Sequence, residues 1–225
     1  MEALLLDRSL INTVSQYYFK QVKNFFPDGI EVSFLELEKI VEISLLKLKI
    51  TFSYLNSKYY QDDFEKIFNL LNGDHYSMLL YSISRNFFIE VNNENYATKT
   101  FLLNKMLHGI DVFYKVKLPE VFLFVHPLGT VLGNANYGNF FCVYQGCTVG
   151  SKVGQYVYPE FGEKTILYSH SSIIGKCKIG NRVILGANSS IISTDVQDNT
   201  LVLGYFPGHT FKKVNEDNFK AIFLD

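Results

Sequence analysis

An apolar residue stands at nearly every sixth position of this chain between Val125 and Leu203. Twelve of the fourteen positions are apolar, in a chain that is 48% hydrophobic overall, and Gln155 and Gln197 are the exceptions. The twelve are Val125, Val131, Tyr137, Val143, Val149, Phe161, Leu167, Ile173, Ile179, Leu185, Ile191 and Leu203. A period of six fits neither a helix nor a two-residue alternation. It is typical of a β-solenoid, in which each short strand adds one side chain to a narrow core.

Small residues flank this repeat on both sides. Glycine follows the apolar position directly at Gly138, Gly150, Gly162, Gly180, Gly186 and Gly204. Two residues before it stand Ala135, Cys147, Val153, Thr165, Ser171, Cys177, Val183 and Ser189, all small or β-branched. Because glycine tolerates the backbone angles of tight corners, we expect a turn after each strand.

The residues before the repeat are predicted to be helical. The pattern of apolar residues indicates helices over 8–25, 33–55, 75–92 and 95–108. Ser33 and Glu36 form a plausible capping box for the second helix, and Gly109 ends the last one. The stretch Asn72-Gly73-Asp74 is interpreted as a turn.

Composition excludes several classes of function. A formal net charge of −1 gives no general electrostatic case for nucleic-acid binding, and no apolar run is long enough to span a bilayer. The first ten residues lack the basic start and apolar core of a signal peptide, so we expect a cytoplasmic protein. The three cysteines, Cys142, Cys147 and Cys177, show no metal spacing and are expected to be buried small residues.

The segments 126–150, 166–192 and 203–208 resemble the hexapeptide-repeat acyltransferases, most closely the serine acetyltransferase branch and its sugar O-acetyltransferase relatives. The resemblance implies an α+β fold: a helical N-terminal domain followed by a left-handed parallel β-helix of about four coils. It places the helical domain at 1–110, the β-helix at 111–208 and a C-terminal tail at 209–225. It also implies a homotrimer, or a dimer of trimers, with sites built from two subunits.

Acetyl transfer to a hydroxyl requires a base for the hydroxyl proton and a group that orients this base. His126 stands at the position of the family's catalytic histidine, in VHPLG, and Asp111 lies fifteen residues upstream, as the family's orienting aspartate does. The resemblance therefore implies that His126 is the general base and that Asp111 fixes its ring.

Two departures from the serine enzymes bear on the acceptor. Val125 replaces the Asp that holds the substrate's amino group in that branch, and Val157-Tyr158-Pro159 replaces an Arg-His-Pro segment. Because both charged partners of a free amino acid are then missing, Val125 and Tyr158 favour an uncharged sugar acceptor, a nucleotide sugar or a surface glycan. Serine, as in cysteine biosynthesis, is the alternative.

The resemblance implies acetyl-CoA as the acetyl donor, held by main-chain groups at coil corners. The matching positions are Gly150, Ser151, Ser169, Gly186 and Ala187. Any corner prefers such residues, so each match is weak by itself.

Two other functions of such a solenoid remain as alternatives. Zinc carbonic anhydrases share it and need three converging histidines, but no closely spaced His pair completes a set with His126 and His170, and no metal is expected. Some hexapeptide solenoids are non-catalytic scaffolds, and the pairing of Asp111 with His126 weighs against that role.

Overall fold

The protein was analysed as a computed structural model, which describes residues 5–56 and 59–224. The first four residues, residues 57–58 and the last residue lie outside the described part. The helices are α1 (Arg8–Phe25), α2 (Phe34–Ser53), α3 (Phe64–Ile67), α4 (Gly73–Val91), α5 (Glu94–His108) and α6 (Asp217–Lys220). The four long helices lie within two residues of the predicted ranges, whereas the short α3 and α6 were not predicted.

The strands are β1 (Phe122–Phe124), β2 (Val131–Leu132), β3 (Phe141–Val143), β4 (Thr148–Gly150), β5 (Glu160–Phe161), β6 (Thr165–Leu167), β7 (Ser172–Ile174), β8 (Lys178–Ile179), β9 (Ile184–Leu185), β10 (Ser190–Ile192), β11 (Thr200–Leu203) and β12 (Thr210–Lys213). They form three sheets, ordered β1-β3-β6-β9-β11-β12, β2-β4-β7-β10 and β5-β8. Every pairing is parallel except β11 with β12. The predicted fold class, a helical domain followed by a β-helix of about four coils, is confirmed.

The apolar repeat begins one residue out of register in the first coil. Phe124 and Leu132 are buried and pair with repeat residues of the next coil, Val143 and Val149. Val131 is 41% exposed, and its prediction as a core residue is wrong. The reason is the first turn, which separates the core residues Phe124 and Leu132 by eight positions instead of six. Each of the two therefore lies one residue away from the position that the repeat predicts.

The exception at Gln155 marks an insertion. Residues 151–158 contain no strand and are mostly exposed, including Val153 and Tyr156. The coil resumes at β5, where Phe161 stacks its ring on Tyr137 of the previous coil, with centroids 5.3 Å apart. One six-residue repeat therefore forms a surface loop instead of a side of the solenoid.

The exception at Gln197 marks a coil that is one residue shorter. Val196 is buried and pairs with Ile179, so it fills the core position that the repeat assigns to Gln197. The shift persists into β11, where Val202 is buried and Leu203 is only half-buried. The prediction of Leu203 as a core residue is wrong for the same reason.

Local chemistry fixes the helix ends. The Ser33 hydroxyl accepts the Glu36 N–H at 3.2 Å, as the capping box predicts for the start of α2. Asn72 caps α4, since its Oδ1 accepts the N–H of Asp74 at 3.0 Å. Gly109 ends α5 in the left-handed region at φ 65°.

The end of α5 is held against the first corner of the solenoid. The Gly129 N–H donates to the Gly109 carbonyl at 3.0 Å, and a Cβ on Gly109 would lie 2.5 Å from the Leu128 side chain. The Thr51 hydroxyl of α2 donates to the Glu120 carbonyl just before β1, at 2.8 Å. The helical domain and the first coil are therefore joined by hydrogen bonds and close packing.

The tail folds back on the helical domain. After β12, α6 leads to Phe223, which forms an antiparallel bridge with Leu55 and packs against the Phe140 ring. The Leu224 N–H donates to the Tyr54 carbonyl at 2.8 Å. The tail thus connects the end of α2 to the side of the solenoid.

Coil stacking leaves no room for a side chain at Gly138. A Cβ there would lie 2.3 Å from the Gly162 carbonyl oxygen of the next coil. We expect Gly138→Ala to lower the free energy of unfolding by about 1–3 kcal/mol in urea denaturation. Gly208→Ala is the matched control, because its nearest neighbour is 3.8 Å away. Equal stability of the two variants would contradict the tight stacking.

No helix among residues 5–56 and 59–224 combines the length and the hydropathy needed to cross a membrane.

Candidate functional site

A cavity of about 610 Å³ lies where the start of α4, the end of α5 and the first solenoid corner meet. Its lining consists of Tyr59, Tyr60, Asn72, Gly73, Asp74, Leu107, His108, His126, Pro127 and Leu128. His126, the predicted base, is thus on a concave surface shared by both parts of the protein.

His126 follows the first strand directly and adopts a left-handed backbone conformation, with φ 48°. Its backbone N–H donates to Asp74 Oδ1 at 2.8 Å, which holds the residue in this conformation. The side chain is 78% exposed and is therefore accessible to a substrate.

The carboxylate beside the His126 ring belongs to Asp74. Asp74 Oδ1 lies 3.7 Å from His126 Nδ1, beyond hydrogen-bond length but close enough to stabilise a protonated ring. Burial raises the pKa of Asp74, whereas the His126 N–H and ring oppose that rise. Asp74 lies in the first turn of α4, where the helix dipole favours a negative charge.

Asp111 lies elsewhere on the same coil. Its backbone pairs with the second strand, since its N–H donates to the Thr130 carbonyl at 2.8 Å. Its Oδ2 accepts from Lys105 Nζ at 2.6 Å. Among the described residues no hydrogen bond joins Asp111 to His126, so the pairing implied by the resemblance stays a prediction.

His108 adds a neutral hydrogen-bonding group to the cavity. Burial lowers its pKa to about 4. The Asn104 amide N–H donates to the Ser77 carbonyl at 2.9 Å, so Asn104 Oδ1 faces His108 Nδ1 at 2.8 Å and accepts a hydrogen bond from its N–H. The Cδ2 edge of the ring faces Gly73, at 3.7 Å from a Cβ placed there. His108 therefore keeps Nε2, on that edge, as an acceptor.

His75, next to Asp74, is buried among aromatic rings. Its ring centroid lies 4.9 Å from that of Phe52 and 5.4 Å from that of Tyr60, and it is 2% exposed. This burial lowers its pKa to about 4.

The depressed pKa of His75 predicts acid sensitivity of the fold. The unfolded chain takes up this proton near pH 6.5 and the folded protein near pH 4, so the stabilisation is complete above pH 6.5 and is lost as the pH falls towards 4. We expect His75→Phe to flatten the pH dependence of unfolding free energy in this window by on the order of 2 kcal/mol. The exposed His170 provides a control, as His170→Gln. An unchanged slope in His75→Phe would contradict this account.

The predicted CoA-binding positions fall into two groups. Ser169, Gly186 and Ala187 lie on the corner that continues from His126 down the solenoid, and the Ser169 carbonyl accepts the Asn188 N–H at 2.9 Å. Gly150 and Ser151 lie at the far end of β4, one strand away from that corner. The structure therefore brings together only the first three.

The predicted substrate-binding residues are also separated. Val125 precedes His126 and is half-buried, with its N–H donating to the Val143 carbonyl at 2.9 Å. The Tyr158 ring covers Gly133 at the end of the second strand, where a Cβ would lie 2.6 Å from Tyr158 Cε1. Tyr158 is not among the residues that line the cavity at His126.

In the part of the chain that the structure describes, no three His, Cys, Asp or Glu side chains form a group that could hold a metal ion. The three cysteines are free and buried. Burial raises the pKa of each thiol, so these side chains are poor nucleophiles.

Sequence reasoning missed Asp74 and His108 as site residues. The Asn72-Gly73-Asp74 stretch was interpreted only as a turn, although an Asx residue before an apolar run also predicts a helix start. Asp74, an acidic residue in the first turn of that helix, was the sequence feature that could have indicated a site there.

The arrangement offers an exposed imidazole, a partly buried carboxylate and a neutral histidine around one cavity. An imidazole beside a carboxylate can remove a proton from an alcohol. The remaining acceptors, Asp74 Oδ2 and His108 Nε2, suit a ligand with N–H donors.

No protein-family model matches the chain. A serine acetyltransferase of Staphylococcus epidermidis is 31% identical over 114 residues, which are 49% of this chain and 53% of that protein. One from Staphylococcus aureus is 27% identical over 114 residues. The chain thus spans about half the length of these curated relatives.

Solved structures share the fold over more of the chain. A serine acetyltransferase of Vibrio cholerae has a TM-score of 0.66 at 13% identity, covering 84% of this chain and 76% of that one. A serine acetyltransferase in complex with CoA gives 0.62 at 16% identity, covering 80% and 77%. The soybean enzyme complexed with serine gives 0.63 at 16%, covering 80% and 76%.

The fold is therefore that of the hexapeptide-repeat solenoids with a helical N-terminal domain. Within that class, the resemblance of segments 126–150, 166–192 and 203–208 to the serine acetyltransferase-like branch is confirmed.

Proposed function

We propose that this protein is an acetyl-CoA-dependent O-acetyltransferase whose acceptor is serine. The observation that carries the proposal is the exposed His126 ring beside the Asp74 carboxylate in an open cavity. The named activity of the curated relatives supports it, as do the CoA and the serine in two of the structural neighbours.

Serine is preferred over the sugar acceptor expected from the sequence. That expectation rested on the absence of a carboxylate for the amino group, because Val125 replaces an Asp. Asp74, from the helical domain, supplies a carboxylate at the same cavity. The comparisons also favour serine and give no support to a sugar.

The two oxygens of Asp74 have separate roles in this proposal. Oδ1 accepts the His126 N–H, whereas Oδ2 is available for the ammonium group of serine. His108 Nε2 is a second, neutral acceptor for the same ammonium. No Lys or Arg lines the described part of this cavity, so the carboxylate of serine would be met by the neighbouring subunit of the proposed trimer.

In the reaction, His126 Nε2 takes the proton of the serine hydroxyl as its oxygen forms a bond to the thioester carbonyl carbon. The bond between that carbon and sulfur then breaks, and the proton passes from His126 to the CoA thiolate. The nearby Asp74 carboxylate stabilises the imidazolium form between these steps.

Acetyl-CoA supplies the activated acetyl group. Ser169, Gly186 and Ala187 suit its pantetheine arm, because small side chains leave the main-chain groups of their corner accessible to a ligand. At Gly186 the space is limited, since a Cβ would lie 2.7 Å from Leu203 Cδ2. Gly150 and Ser151 would serve a different part of the ligand, or the groove of a neighbouring subunit.

A homotrimer follows from this proposal, since the corner that carries His126 is open on one side. We expect analytical ultracentrifugation of the purified protein to give a sedimenting mass of three chains, or six if helical domains pair. A monomer at micromolar concentration would contradict the shared site.

The acceptor is tested by measuring CoA thiol release with a panel of alcohols. We expect L-serine to support turnover, and glucose, N-acetylglucosamine and UDP-sugars to give less than about a hundredth of its kcat/KM. Turnover with a sugar and not with serine would support the sugar-acceptor hypothesis instead. CoA binding without turnover on any acceptor would support the non-catalytic scaffold.

A further inference from the structure

A second cavity, of about 270 Å³, lies between the helical domain and the segment before the first strand, and it shares no residue with the cavity at His126. It is bounded by α2, the middle of α4 and the segment 117–122, which leads into β1. It is here called the cationic cavity, after Lys47, Arg85 and Lys117 in its lining.

Positive charge predominates in this cavity. Lys47, Arg85 and Lys117 line it with a single carboxylate, Glu120. In the described part of the chain no carboxylate lies within 4.0 Å of Arg85 or Lys117, and the nearest to Lys47 is Glu90, at 3.8 Å. Concave surfaces lined by one sign of charge concentrate the opposite ion.

Lys47, whose side chain is 47% exposed, is anchored to a buried polar pair. Its ammonium donates to Asn86 Oδ1 at 2.5 Å, and Asn86, which is 1% exposed, donates to the Ser44 hydroxyl at 2.8 Å. Burial lowers the pKa of Lys47, and so does the Arg85 guanidinium, against the opposing effect of Glu90. An anion between Lys47 and Arg85 would be attracted by both charges.

Arg85 and the opposite wall are also fixed. One terminal nitrogen of Arg85 donates to the Tyr114 carbonyl at 3.0 Å. The Tyr81 hydroxyl donates to the Val116 carbonyl at 2.8 Å and accepts the Leu118 N–H at 2.9 Å. The guanidinium retains further donors for a planar anionic group, and a preformed wall lowers the entropic cost of binding.

Beside the polar Thr51, Ser82 and Asn86, much of the remaining lining is apolar. Leu48, Leu118 and Phe122 are buried residues that face this cavity, and Ile50, Ile89 and Pro119 complete the wall. A fully hydrated inorganic ion would leave these apolar side chains exposed to water, whereas a ligand with an apolar body would bury them.

We infer that the cationic cavity is a binding site for a small organic anion, with a carboxylate or phosphate head and an aromatic or branched aliphatic body. The head lies between Lys47, Arg85 and Lys117, and the body lies against Leu118 and Phe122. The site is independent of the acetyl-transfer proposal, because it uses none of the residues assigned to that reaction.

The test is calorimetric titration of the full-length protein with phenyl phosphate and with benzoate, at constant ionic strength and with saturating CoA present to block the CoA groove. Inorganic phosphate supplies the head without the body, and benzyl alcohol the body without the charge. We expect a Kd below about 1 mM for at least one organic anion, and at least about tenfold weaker binding of both controls.

Charge-removing variants locate the site. Lys47→Gln and Lys117→Gln should each weaken binding at least about fivefold, while Lys39→Gln, an exposed lysine on the same α2, should leave it unchanged. The inference is overturned if neither anion binds at 10 mM. It is equally overturned if Lys39→Gln weakens binding as much as the two cavity variants do.

Discussion

Replacing His126 with alanine is expected to lower kcat for serine acetylation by about 10²–10⁴-fold, because the variant has no base for the hydroxyl proton. The ring is 78% exposed and fills no core space, so its removal should not unfold the protein. The measurement is CoA thiol release at saturating serine and acetyl-CoA.

A second variant makes the His126 result specific. His126→Gln keeps a polar side chain of similar reach but has no imidazole, and it should lose as much kcat as the alanine variant. Both should keep the sedimentation behaviour and the CoA affinity of the original protein. Turnover near the original rate in either variant would end the assignment of His126 as base.

Replacing Asp74 with asparagine is expected to raise the KM for serine by roughly 10–100-fold, since a hydrogen bond between charged groups is lost in a half-enclosed site. The KM for acetyl-CoA should change less than about threefold, because the thioester does not contact Asp74 in this proposal. The original protein should also lose serine affinity as the pH falls through the raised pKa of Asp74. An unchanged serine KM in Asp74→Asn would remove Asp74 from the acceptor site.

Asp111→Asn tests whether Asp111 or Asp74 is the carboxylate partner of His126. The Asp111 carboxylate pairs with Lys105 in the structure, yet the resemblance assigns it to the His126 ring. A fall in kcat of about 10⁴-fold would mean that Asp111 leaves Lys105 and orients the base in the working enzyme. A change under about threefold would leave Asp74 as the carboxylate partner of His126.

The solenoid was predictable because one apolar position per strand is a strong periodic signal, and it is read without knowing any long-range contact. The same signal failed at Val131 and Leu203, where the coils depart from six residues per side. Gln197 marked the shorter coil before Leu203, whereas no break in the repeat marked the longer first turn before Val131. Which neighbour takes the core position depends on the register of the stacked coil, and a repeat count does not contain that information.

The site was predictable only within the solenoid. His126 was found because it lies on the repeat and matches a known motif. Asp74 and His108 lie outside the repeat and reach it through the packing of α4 and α5 on the first corner, where the Gly109 carbonyl accepts the Gly129 N–H. Such a contact follows from tertiary packing, so the sequence did not reveal the Asp74 carboxylate, on which the proposal of serine as the acceptor rests.

A crystal structure of the protein with CoA and L-serine would test the central claim most directly. We predict the serine hydroxyl within about 2.6–3.2 Å of a His126 ring nitrogen, and its ammonium group on the Asp74 carboxylate. Serine bound away from the cavity between α4 and the first corner, with His126 facing only solvent, would contradict the account.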